Sequence, residues 1–221
     1  MNKLGPGHLD VAKSYSNLGS VHRDLGNLEQ AKEYYDRALA IRLEKLGPDH
    51  RDVALCYHNL GVVHYILGDL EQAKQNYERA LSIYLKKVNT DHLYVARCYT
   101  NLGLVHRALG DLKHAKENHE CALSIYLKKV NPDYLETATC YCNLASEHCA
   151  LGNLEKAKGC QEHALAIRLK KLGPDHLDVA KCYSSLGFLH RALGNLEQAK
   201  EFYDRALTIR LKNLGPNHRD L

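Results

Sequence analysis

Leu46-Gly47-Pro48-Asp49-His50 decides the fold, because it comes back. It returns as Val88-Asn89-Thr90-Asp91-His92, Val130-Asn131-Pro132-Asp133-Tyr134, Leu172-Gly173-Pro174-Asp175-His176 and Leu214-Gly215-Pro216-Asn217-His218, with Leu4-Gly5-Pro6-Gly7-His8 at the front. The step is 42 residues each time, without an insertion, and five steps account for 210 of the 221 residues. The units run 5–46, 47–88, 89–130, 131–172 and 173–214, and 215–221 read as the start of an incomplete sixth helix. A fixed period of this size means one supersecondary unit stacked on copies of itself, here a single solenoid over residues 1–221.

Within a unit, Val11, Tyr15, Leu18, His22 and Leu25 step by four and three, which places them on one face of a helix that ends at Gly26. This is helix A. Asn27 then stands where an N-cap belongs, with Gln30 three residues on, a capping-box spacing repeated by Asp69/Gln72 and Asn195/Gln198. Helix B follows with Leu28, Ala31, Tyr35, Ala38 and Leu39 turned inward. It stops near Leu46, where Gly47-Pro48 supplies a left-handed position and then a missing donor. Asp10, Asp52 and Asp178 fall in the first turn of helix A, where the helix dipole favours a negative charge.

Small residues recur at three places: Gly19/Ala31/Ala38, Gly61/Ala73/Ala80, Gly103/Ala115/Ala122, Ala145/Ala157/Ala164 and Gly187/Ala199/Ala206. They let helix A, helix B and the next helix A approach closely, so that neighbouring hairpins share one core. Tyr15, Leu18, Gly19, Gly26, Ala31, Tyr35 and Ala38 together resemble the tetratricopeptide repeat in order and spacing, in all five units. The resemblance implies an all-α, right-handed superhelical solenoid of five helical hairpins. The usual period of that family is about 34 residues. Here the extra residues lie in Leu39-Ala40-Ile41-Arg42-Leu43-Glu44-Lys45 and its copies, which lengthens helix B by about two turns. This long form is similar to the repeats of kinesin light chains and nephrocystin-3-like proteins.

Composition limits the function classes. Thirty Lys+Arg against 26 Asp+Glu give a net charge of +4, far from the basic stripe that nucleic-acid binding requires. No run approaches the roughly 20 apolar residues of a membrane span, and Met1-Asn2-Lys3-Leu4-Gly5-Pro6 lacks the apolar core of a signal peptide, so a cytoplasmic location is expected. Four of the eight cysteines, Cys56, Cys98, Cys140 and Cys182, share one place in successive units and read as small core residues suited to a reducing compartment.

Of 14 histidines, His22, His64, His106, His148 and His190 occupy one helix A position, and His8, His50, His92, His176 and His218 another at its start. Catalysis needs one arrangement, whereas residues copied in every unit serve the scaffold. The first set stands where the family usually has Tyr and is expected to be packed and hydrogen-bonded; the second suits helix capping. Unit 4 breaks the pattern with Cys140, Cys142, His148, Cys149, Cys160 and His163, from which a zinc site could be drawn, but no Cys-x-x-Cys pair exists and no metal or other cofactor is expected. Gly159 inside helix B, and Gln161 where other units have Tyr35, Tyr77 and Tyr203, predict that this unit is the softest. Glycine-rich phosphate loops, nucleophile elbows and paired carboxylates are absent, so the chain does not read as an enzyme.

One step beyond the core stripe of helix A, Lys13, Ser16, Asn17, Ser20 and Arg23 share a side. Asn17 recurs as Asn59, Asn101 and Asn143, with Ser185 in unit 5. Such amides offer a donor and an acceptor to an extended peptide, a role the resemblance implies; the alternative is that they tie helix A to its neighbour. Cations mark alternate units as Lys13/Arg23, Arg97/Arg107 and Lys181/Arg191, beside Leu55, Val62, Tyr65, Leu104 and Phe188 as apolar or aromatic anchors. The predicted partner is a protein or peptide, acidic and extended, with an aromatic or apolar anchor, held as kinesin light chains hold cargo peptides. A solvated basic face is the plain alternative. A second function class is structural self-association, through a helix B of unit 5 that exposes an apolar face, either as part of a longer array or by pairing with another copy.

Overall fold

The computed structural model describes residues 5, 7–86, 92–130 and 135–214. The loop motifs at 87–91 and 131–134 and the expected sixth helix at 215–221 lie outside them. The described residues form α1 (Leu9–Asp24), α2 (Leu28–Leu46), α3 (Arg51–Leu67), α4 (Leu70–Lys86), α5 (His92–Ala108), α6 (Leu112–Ile125), α7 (Leu135–Ala150), α8 (Leu154–Leu172), α9 (Leu177–Ala192) and α10 (Leu196–Leu214), with a π-helical turn at Tyr126–Val130 extending α6. No described helix is long and apolar enough to cross a membrane. The chain divides into two compact units, Met1–Asp111 with α1–α5 and Leu112–Leu221 with α6–α10.

In the first unit, Ala31 and Tyr35 of α2 pack against Leu60 and Val63 of α3, and Ala73 and Tyr77 of α4 against Leu102 and Val105 of α5. Each helix A thus docks on the helix B before it. The expected inward stripe needs correction on this point. Leu60 is 3% exposed, but its counterpart Leu18, which no helix B precedes among the described residues, is 42% exposed. Val63 is fully buried and its counterpart Val21 is 53% exposed, so this position belongs to the core although the stripe omitted it. Leu25 and Leu67, placed inward by periodicity, are exposed. The second unit repeats the pattern: Ala138 of α7 meets Ala164 and Ile167 of α8 and Cys182 of α9, and Val179 and Ala180 of α9 meet Ala206 and Ile209 of α10.

The lengthened helix B has its own anchor. Arg42, in the added turns of α2, is buried and donates to the Asp52 carbonyl at 3.3 Å and the Cys56 sulfur at 2.9 Å, and Arg168 of α8 does the same toward Asp178 and Cys182. Helix B ends at Gly47 with φ 79° and ψ 167°, a positive-φ extended conformation open essentially to glycine rather than the expected left-handed helical one.

Helix A is capped by histidine: Nδ1 of His8, His50 and His176 each accepts the backbone N–H two residues on at 3.1 Å. The capping box on helix B holds only in half. Asp69 accepts from the Gln72 N–H at 3.3 Å, while the Asn27 side chain makes no cap bond. Its backbone N–H, the donor that Gln30 would take in the box, is held by the His22 carbonyl at 2.8 Å. The other histidines are packed as expected: His22 stacks on Tyr34 at 5.2 Å and His190 lies 5.1 Å from Phe202. The hydrogen bond expected for them is missing at His22, His148 and His190, whose Nδ1 atoms meet no hydrogen-bond partner among the described residues.

A Cβ at Gly159 would meet open space. Gly159→Ala is therefore expected to stabilise the second unit by about 1 kcal/mol, because only the helix propensity changes. Urea unfolding followed by circular dichroism checks this; an unchanged midpoint would mean that α8 is not limited by its glycine.

Candidate ligand-binding surface

Successive A helices are brought side by side through one position. His58 Nδ1 of α3 lies 3.7 Å from the Cys98 sulfur of α5. The surface built on α1, α3 and α5 carries most of the predicted site residues of the first unit. Lys13 and Asn17 are exposed on α1, Asn59, Arg97 and Asn101 are half-buried on α3 and α5, and Arg107 is exposed near the end of α5. Arg23 is half-buried and bound to the adjacent Asp24, with Nε at 3.0 Å and a terminal nitrogen at 2.8 Å from one carboxylate oxygen. Part of its charge is thus answered within α1.

His58 reports on how these cations are arranged. Burial, with the positive charges of Arg97 and Arg23, lowers it from the ordinary 6.5 to about 4. Arg23 comes from the first hairpin, His58 from the second and Arg97 from the third, so two of the predicted cations converge on a third basic group between them. His58 also meets the Tyr77 ring edge-on at 5.6 Å, which fixes its place. Sequence reasoning missed it. The signal was there, since His58 replaces Ser16, Thr100, Cys142 and Ser184 of the other units. Val62 and Tyr65, two of the expected anchors, pack partly buried against the Ala73–Tyr77–Leu102–Val105 cluster; Leu55 and Leu104 are half-buried, and in the second unit Phe188 is exposed.

The second unit is arranged differently. Lys181 and Arg191 are exposed on α9, and Lys181 donates to Asp178 at 2.9 Å. Asn143 on α7 is half-buried, and its amide nitrogen lies 3.3 Å from Nε2 of His119 on α6. His119 occupies the place of Tyr35 and Tyr77, and its Nδ1 lies 3.7 Å from Glu147, which occupies the place of Val63 and Val105. Both side chains are fully buried. At this joint Asn143 ties helix A to the preceding helix B, the alternative weighed for that amide. The omission of the Val21 position from the inward stripe is what hid Glu147.

Comparison with known proteins agrees with this architecture. The family described as tetratricopeptide repeat matches residues 10–86, 67–128, 115–170 and 136–212. Among solved structures, BtubC (BKLC) of P. vanneervenii superposes with a TM-score of 0.82 at 24% identity, over 96% of this chain and 85% of that one. A Podosopora anserina protein named as a kinesin light chain with nearly identical TPR-like repeats gives 0.78 at 21% identity, over 95% and 99%. The apo form of RapI gives 0.81 at 18%, over 91% and 70%. At these identities the likeness is one of fold. No curated protein matches the chain.

Proposed function

We propose that this chain, which belongs to the tetratricopeptide repeat family, holds an extended acidic segment of a partner protein against its A helices. Repeats of this family generally mediate protein–protein interaction and are typically non-enzymatic. The finer reading rests on one observation, the convergence of Arg23 and Arg97 on His58 across three hairpins. A cluster of like charge on a half-buried surface is stabilised by a ligand that brings carboxylates, and Asn59 and Asn101 beside it can pair with an extended backbone. Val62, Tyr65 and Leu104 offer apolar surface for an aromatic anchor. Lys13, Asn17 and Arg107 extend the same surface, and Asn143, Lys181 and Arg191 are its counterparts in the second unit. This resembles the way kinesin light chains take cargo peptides, in a cytoplasmic adaptor.

Reversing Arg97 and Arg107 to Glu is expected to weaken binding of an acidic, Trp-containing peptide by about tenfold or more and to flatten its salt dependence. Isothermal titration at several ionic strengths decides it; equal affinity and equal salt slope would remove the assignment. A second readout tests the geometry without a ligand. In Arg97→Glu, a cation beside His58 becomes an anion, so the imidazole should titrate well above its present value of about 4 in an NMR pH series.

Self-association is the second reading. Leu18 and Val21 on α1, and Leu196, Tyr203 and Leu207 on α10, are exposed, although Leu60, Val63, Leu28, Tyr35 and Leu39 at the same positions pack at the joint between the first two hairpins. Sedimentation over a concentration series tests it, with a constant monomer mass as the opposing result.

A further inference from the structure

The joints between hairpins are not all of one kind, and two positions tell them apart, one on helix B and one on the helix A that follows it. The first joint sets Tyr35 of α2 against Val63 of α3, and the second sets Tyr77 of α4 against Val105 of α5. His119 and Glu147 hold those places between α6 and α7, and Gln161 and Leu189 hold them between α8 and α9. Stacking in a repeat array is a matter of nearest neighbours, so this pair decides which helix B accepts which helix A.

α10 and α1 carry the two halves of such a joint uncovered. Leu196, Tyr203 and Leu207 of α10 stand at the positions of Leu28, Tyr35 and Leu39, and all three are exposed. Leu18 and Val21 of α1 stand at the positions of Leu60 and Val63, and both are exposed. Tyr203 with Val21 is the pair of the first two joints, not that of α6 with α7 or of α8 with α9. A charge accompanies the apolar match. Burial pushes the Asp36 carboxyl of α2 up, and Lys32 of the same helix and His64 of α3 oppose that shift. Burial, Lys116 and Lys156 lower His148 of α7, and Glu120 of α6 opposes them. The histidine of helix A thus lies near an acid of the helix B before it. At the same positions α10 has the exposed Asp204, and α1 has His22, whose Nδ1 meets no hydrogen-bond partner among the described residues.

We propose that α10 of one copy of this chain docks on α1 of a second copy, repeating between molecules the joint that α2 makes with α3. This rests on the self-association reading and gives it a direction. Tyr203 and its flanking leucines would cover Leu18 and Val21 of the next copy, with Asp204 near His22. The opposite arrangements have no template: α1 on α1 brings two histidines together, α10 on α10 brings two acids together, and neither pairing occurs at a described joint. A contact of this heterologous kind leaves one docking face free on each outer copy, so association continues past the first pair unless a ring closes.

Two variants of the full chain test the direction by sedimentation over a concentration series. Val21→Glu blocks α1 and Leu207→Glu blocks α10; both replace side chains that are exposed in the single copy, so the far-ultraviolet spectrum and urea midpoint should stay those of the natural chain. The natural chain is expected to gain mass with concentration, and each variant alone to lose this and remain a monomer. Mixed in equal amounts, the variants should form a dimer and nothing larger, because one intact α10 meets one intact α1. Association of either variant alone, to the extent seen for the natural chain, overturns the proposal. So does a mixture that stays monomeric while the natural chain associates; in both cases self-association stands but runs through other surfaces. A natural chain that remains a monomer at every concentration removes the self-association reading and the proposal together.

Discussion

His119→Ala is expected to destabilise the second unit by about 3–5 kcal/mol, because it opens a cavity at a fully buried site and removes the polar group that faces the buried Glu147 carboxyl. The substitution leaves Glu147 fully buried between α6 and α7 with its counterpart gone, in a place that Val63 and Val105 fill in the first unit. Glu147→Val should lose less, about 1–3 kcal/mol, because Asn143 still serves the imidazole at Nε2. The decisive variant is the double substitution. His119→Tyr with Glu147→Val rebuilds the apolar joint seen between Tyr35 and Val63, and it should be as stable as the natural chain or more so. Urea denaturation, with amide exchange on α6 and α7 to localise the effect, gives the three values. Single substitutions that each change stability by under about 0.5 kcal/mol would show that the pair is incidental.

Gly61→Ala is the second large effect. A Cβ at Gly61 would lie 2.7 Å from one Tyr77 ring carbon and 2.8 Å from another, far inside van der Waals contact. The ring cannot retreat, because Leu102 and Val105 close its other side. A net destabilisation of about 2 kcal/mol is expected even after the gain in helix propensity. The fourth hairpin shows the compensation, since Ala145 is paired there with Gln161 in place of a tyrosine. Adding Tyr77→Gln to Gly61→Ala should therefore cost less than the sum of the single changes, and a double-mutant cycle with zero coupling would refute the steric account.

The 42-residue step made the hairpins, the lengthened helix B and the histidine caps legible, because each follows from local chain geometry repeated in place. What was not legible depends on a neighbouring hairpin. Leu18 and Val21 have the same chemistry as Leu60 and Val63 yet opposite exposure, and no pattern inside one helix distinguishes them. Asn27 has the right type for a cap, but its side chain makes no cap bond, and its own N–H is held by the His22 carbonyl across the turn. The cations of the candidate surface could be read from spacing, whereas His58 was overlooked because a neutral side chain adds nothing to a charge count. Its value as a probe comes from Arg23 and Arg97, which only the folded chain brings near it.

The joint between α6 and α7 also limits how such a gene can change length. A slip that removed residues 47–88 would set Tyr35 against Val105, a pairing of the kind already present at the first joint. Loss of residues 89–130 would instead set Tyr77 against Glu147, and loss of 131–172 would set His119 against Leu189. Either event strands a polar group among apolar neighbours. Copy number is thus free to drift on one side of this seam and is locked across it.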